Sequence, residues 1–185
     1  MKSKILGLLA VGLLASPAAM AITYNYVGAN FSYIVNSDLI PGEYTTSMRV
    51  TASVTLDAPL ESGFSGFVTP LSFSLSDGRQ TITDAEATVS SFGFETDASG
   101  GIFNWLIFAS YEDTQYSRII VAFRSGVVEQ GCILKTGACD ENAENIFDAG
   151  RADPAAGVWS VPEPGTLALL GLGLAGLAAA RRRKQ

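Results

Sequence analysis

Arg49-Val50-Thr51-Ala52-Ser53-Val54-Thr55-Leu56 alternates apolar and polar residues without a break. Successive side chains of an extended chain point to opposite sides. Val50, Ala52, Val54 and Leu56 therefore fall on one face, with Arg49, Thr51, Ser53 and Thr55 on the other. This is the pattern of a strand with one face in a core. Leu71, Phe73 and Leu75 alternate with Ser72, Ser74 and Ser76 in the same way.

Outward from these stretches the period of two recurs along most of the chain. It predicts strands over Tyr24–Val35, Glu43–Asp57, Gly66–Asp77, Gln80–Asp84, Ala87–Thr96, Ile102–Tyr111, Gln115–Ser125 and Val158–Val161. Pro41-Gly42, Ser76-Asp77-Gly78 and Ser99-Gly100-Gly101 supply tight-turn residues. One hairpin is expected across Asp77-Gly78, and another across Glu112-Asp113-Thr114. No helical pattern separates the strands. The fold class is therefore all-β, an antiparallel β-sandwich that is jelly-roll-like or a flattened barrel. Gly126–Gly157 reads differently, as a loop-rich, acidic excursion before a last strand returns to the sheet.

Two apolar segments flank this body and give it the expected organisation 1–21, 22–160 and 161–185. Met1–Ala21 carries Lys2 and Lys4, an apolar stretch Ile5–Ala15 and the small-x-small pattern Ala19-Met20-Ala21. It reads as a secretory signal helix removed by signal peptidase after Ala21. At the other end, Pro162-Glu163-Pro164 precedes an apolar run, Leu167–Ala180, and a basic stop of Arg181, Arg182, Arg183 and Lys184. As a helix the run is about 21 Å long against a hydrocarbon core of about 30 Å. Snorkelling arginines and local bilayer thinning make up part of the difference. Residues 165–180 are thus expected in the membrane, with the basic cluster cytoplasmic and the body outside. The prolines keep that helix from extending backwards. Gly171-Leu172-Gly173-Leu174-Ala175-Gly176 spells a dinucleotide-binding motif, but the acidic residue required about 20 positions later is missing.

In order and spacing, Val161-Pro162-Glu163-Pro164, the Gly/Leu/Ala-rich run and Arg181–Lys184 resemble the PEP-CTERM sorting signal of Gram-negative bacteria. The resemblance covers about 25 of the 185 residues. It implies cleavage near the motif by an exosortase, a membrane-embedded cysteine protease. Export, a transient stay in the inner membrane and delivery to the cell surface or exopolysaccharide matrix would follow. Tyr44-Thr45-Thr46, Val54–Leu60, Phe73–Gly78 and Gly157–Ser160 resemble a recurring group of exported PEP-CTERM proteins. That second likeness implies one β-rich exported domain and supplies no activity.

Composition narrows the chemistry. The chain contains no histidine, which removes Ser-His-Asp and Cys-His catalysis and His-ligated zinc. Between Ile22 and Ser160 stand 6 basic and 17 acidic residues, a net charge of −11. Such a surface repels nucleic acid and anionic lipid. Cys132 and Cys139 are the only cysteines, and in an exported chain a close pair is expected to form a disulfide. The alternatives, a redox pair or a metal site, suffer from a spacing other than C-x-x-C and from the missing histidine.

Glu112/Asp113 and Asp84/Glu86 are the candidate paired carboxylates for glycoside hydrolysis, which needs defined separations inside a cleft. Adjacent acids in turns are ordinarily solvated, and no catalytic residue is assigned. Asp140–Asn145 invites a calcium site, but Asn145 and Arg151 occupy the positions where an EF-hand needs Gly and Glu. A calcium site of another kind stays open for this loop beside the default of a solvated acidic loop, and neither a metal nor another cofactor is assigned. Trp105, Trp159, Tyr24, Tyr26, Tyr33, Tyr111 and Tyr116 are candidates for a sugar-stacking platform, with core packing the alternative for Trp105. The sequence is thus read as a non-enzymatic, exported surface or matrix protein with a structural or adhesive role. A carbohydrate-binding module is the second reading and a polysaccharide-active enzyme the third.

Overall fold

The alternation at 49–56 reappears as burial. In the computed structural model, which describes residues 21–124, 128–136, 146–153 and 157–161, Val50, Ala52, Val54 and Leu56 are all buried. The expected signal helix, membrane helix, sorting motif, Cys139 and Asp140–Asn145 lie outside the described residues. Among the described residues there are twelve strands and no helix. They are β1 (Ile22–Asn30), β2 (Tyr33–Val35), β3 (Arg49–Leu56), β4 (Ser65–Val68), β5 (Ser72–Ser76) and β6 (Thr81–Thr83). There follow β7 (Val89–Thr96), β8 (Ile102–Glu112), β9 (Ser117–Phe123), β10 (Val128–Thr136), β11 (Ile146–Ala152) and β12 (Val158–Ser160).

The strands form two antiparallel sheets, β12-β1-β3-β5-β6 and β2-β11-β10-β9-β8-β7-β4. Tyr26, Val50, Val54, Leu75 and Ile82 of the first share a core with Phe92, Phe94, Ile107 and Ile120 of the second. Full burial of such a side chain contributes about 1.5–3 kcal/mol relative to exposure. Both expected hairpins form: β5 pairs β6 across Asp77-Gly78, with Gly78 at φ 90°, and β8 pairs β9. The order corrects the jelly-roll expectation. Strands β7 to β11 run as a meander within one sheet, whereas a jelly roll alternates strands between two.

Two predicted strands each divide between the sheets. Tyr24–Val35 breaks at Phe31-Ser32, where Phe31 N–H donates to Met48 beside β3 and Ser32 N–H donates to Arg151 of β11. Gly66–Asp77 breaks at Thr69-Pro70-Leu71, with β4 in the seven-stranded sheet and β5 in the other. Proline cannot donate to a ladder, which suits it to such a crossing.

The excursion expected over Gly126–Gly157 is corrected more fundamentally, because β10 and β11 lie in it. The cause is burial on both faces. Glu129, Gly131 and Ile133 face the inter-sheet side, opposite Ala152, Gly150 and Asp148. Cys132, Leu134, Phe147 and Ala149 form a second apolar cluster on the other side, with Ile119 and Val35 against it. A strand covered on both faces shows no polar alternation.

Candidate functional site

Three carboxylates with almost no solvent contact organise the space between the sheets: Glu129 at 1% exposure, and Asp77 and Asp148 at 0%. A buried carboxylate is costly unless hydrogen-bonded, and each has its donors. Asp77 Oδ2 accepts from Tyr44 Oη at 2.7 Å and Gln80 Nε2 at 2.8 Å. Its Oδ1 accepts from the amides of Arg79 and Gln80 at 2.9 and 2.8 Å. Asp148 takes the Arg79 guanidinium at 2.7 Å and the Ser37 amide at 2.5 Å. Arg79 also lies 4.8 Å over the Tyr44 ring.

Glu129 reaches from β10 to the opposite sheet. Oε1 accepts from Tyr26 Oη at 2.5 Å and from Gly157 N–H at 2.8 Å, and Oε2 from Ala29 N–H at 2.9 Å. Two glycines make room for these acids. A Cβ on Gly28 would stand 2.0 Å from Glu129 Oε2, and one on Gly131 1.9 Å from Asp77 Oδ2. Burial pushes the Glu129 carboxyl above its ordinary value, against the lowering effect of its Tyr26, Gly157 and Ala29 donors. Burial, then Glu129, push the Tyr26 hydroxyl up, so it remains a donor. Tyr44 is raised likewise by burial and by Asp77.

From Gly157 the chain enters β12, an edge strand that among the described residues pairs with β1 alone, through Asn25↔Ser160, Tyr26↔Trp159 and Val27↔Val158. Trp159 sits in an aromatic cluster, with ring centroids 5.0 Å from Tyr26, 5.3 Å from Phe94 and 6.2 Å from Trp105. The two strands are antiparallel, so the start of β1 at Ile22 and the end of β12 at Ser160 lie at the same end of this edge.

A groove of about 500 Å³ opens on the outer face of the seven-stranded sheet. Phe67, Gly93, Leu106 and Phe123 stand in one register row across β4, β7, β8 and β9, and Glu95 and Asn104 pair in the next row. The Phe67 ring lies over Gly93 and is 72% exposed. Asn104 Oδ1 is buried without a hydrogen-bond partner.

The residues predicted for a sugar platform do not assemble into one. Tyr24, Tyr26 and Trp105 are core residues, Trp159 packs on that core, and only Tyr33 among the described candidates is an exposed ring. Among the paired acids, Glu112 ends β8 with an exposed side chain, and the other three accept from backbone amides. Asp113 accepts from the amides of Gln115 and Tyr116, which with Arg118 hold its carboxyl below the ordinary range. Asp84 accepts from Phe73 N–H, and Glu86 from Thr83 N–H. No group of three or more acidic, cysteine or histidine side chains able to hold a metal occurs among the described residues. Cys132 is buried and is not a free thiol. Sequence reasoning missed Glu129, Asp148 and Arg79. The available signal was an acid two residues before a glycine, Glu129-Gln130-Gly131 and Asp148-Ala149-Gly150, which places both on one strand face.

Residues 160–184, beginning at the last residue of β12, match the PEP-CTERM protein-sorting motif. The chain therefore carries a signal for export and for processing by an exosortase at the membrane before surface or extracellular release. No curated protein and no solved structure matches the chain.

The buried Glu129 predicts a particular pH dependence. Its carboxyl is raised in the folded state, so protonation favours folding. That contribution is fully present below the ordinary value of 4.5 and is lost as pH rises through the raised folded value. Glu129→Gln cannot titrate. The stability of the natural protein relative to this variant, from urea midpoints, should decline from acid toward neutral pH; a difference independent of pH contradicts the assignment.

Proposed function

We propose that this is a non-enzymatic surface or matrix protein of a Gram-negative bacterium, with a structural or adhesive β module. Signal peptidase would release residue 22, the first residue of β1, and residues 165–180 would hold the chain in the inner membrane until an exosortase acts. One observation carries this reading: the matched sorting motif begins at the last residue of a strand docked to the module. Replacing Pro162, Glu163 and Pro164 together by alanine should leave the full-length chain in the membrane fraction. Unchanged release would overturn the proposal.

The groove supports a second reading, binding of an exopolysaccharide. An exposed aromatic face can stack on the C–H face of a sugar ring, while Glu95 and Asn104 can hydrogen-bond to hydroxyls. Net charge of −11 over residues 22–160 favours neutral over acidic polymers. Phe67→Ala, on an exposed side chain, should abolish retention of the folded protein in gels containing neutral polysaccharide. Equal retention of both proteins, or none of either, rejects this binding site.

The β10 cysteine completes the proposal as half of a Cys132–Cys139 disulfide. Intact mass of the released protein should lie about 2 Da below its fully reduced form, since closing the S–S bond removes two hydrogens. Identical masses would exclude it.

A further inference from the structure

We propose that β12 controls access to the sorting motif, and that processing requires this one strand to peel from β1. The proposal rests on residues 160–184 acting as a cleaved sorting signal. Only Val161 stands between the last paired residue, Ser160, and Pro162. Continued in the same register, β12 would set Val161 opposite Tyr24, Pro162 opposite Thr23 and Glu163 opposite Ile22. Proline has a fixed φ and no N–H, so Pro162 stops this growth.

Residues before the motif are in the opposite situation. An extended peptide is commonly bound by main-chain hydrogen bonds, as an added strand. A protease that grips the chain upstream of Pro-Glu-Pro needs the backbone of residues 158–160, which is already paired with β1. Side chains strengthen that pairing, with Trp159 held among Tyr26, Phe94 and Trp105 and Gly157 N–H bound by buried Glu129. A Cβ on Gly157 would meet Val27 O at 2.4 Å, so the approach to β12 is closely fitted too.

The membrane side offers little slack. Residues 161–164 span about 13 Å when extended, at about 3.3 Å per residue, before the apolar segment begins. The enzyme must therefore work between the bilayer and the folded edge. Opening β12 frees three further residues, breaks backbone pairing with one strand, β1, and lifts Trp159 from Tyr26, Phe94 and Trp105. Local openings of this kind occur without global unfolding.

Asn25 and Ser160 are Cα partners, and antiparallel partners lie about 4.5–5.5 Å apart, within disulfide range. The test uses the full chain in a bacterium that processes it, with Asn25→Cys and Ser160→Cys introduced together. Cross-linked chains should remain full-length and, on addition of dithiothreitol, convert to the processed form at the rate of the Ser160→Cys single variant, while Asn25→Cys alone converts at the natural rate. Trp159→Ala, which loosens β12 without locking it, should convert faster. Conversion of the cross-linked chain at the natural rate, or no acceleration in Trp159→Ala, overturns the proposal. The Pro162/Glu163/Pro164 alanine variant separates the two failures. If it is cut normally, the sorting reading itself falls; if it is blocked while the cross-linked chain is cut, only the role of β12 falls.

Discussion

The two sheets are tied together through three buried acids set beside the apolar core. Asp77, Asp148 and Glu129 have one guanidinium among them, Arg79 on Asp148. Asp77 and Glu129 are satisfied by hydroxyl and amide donors instead. Removing a donor from such a group leaves a desolvated carboxylate oxygen unpaired, at about 1–3 kcal/mol or more. The donors come from segments far apart in the chain. Glu129 joins β10 to β1 and to the approach to β12, while Asp148 joins β11 to the β5–β6 turn and the loop after β2. The sheets are therefore fixed in relative position by directional contacts as well as by apolar packing.

Much of the fold was legible because one-sided burial writes itself into alternation. β3 and β5 show it residue by residue, and the turn at Asp77-Gly78 is where its residue types place it. What was hidden had specific causes. β10 and β11 are covered on both sides, and acids and glycines occupy the inward positions where apolar residues would have announced a strand. The passages at Phe31-Ser32 and Pro70 were hidden because the inward phase shifts there, from Tyr24 and Tyr26 to Phe31 and from Val68 to Phe73, within stretches that read as single strands.

The site divides in the same manner. Sorting residues are local in sequence, so their spacing carries the message, and the family match at 160–184 agrees with it. Sugar-stacking aromatics could not be picked by residue type, since Trp105 and Tyr26 go inward while Phe67 faces out. Asp77 looked like an ordinary turn residue. Its side chain in fact accepts four hydrogen bonds, three from Arg79 and Gln80 of the same turn and one from Tyr44, 33 residues away.

The outermost strands have a bearing on life at high local concentration. Those bordering the two sheets are β12, β6 and β2 with three residues each and β4 with four. A long bare border would invite another chain to add a strand, the step that begins fibrous aggregation. Borders this brief offer a few bonds at a time, too little to template a growing stack. Molecules released beside one another, at the surface or outside the cell, can then crowd together while each keeps its own sheets closed to its neighbours.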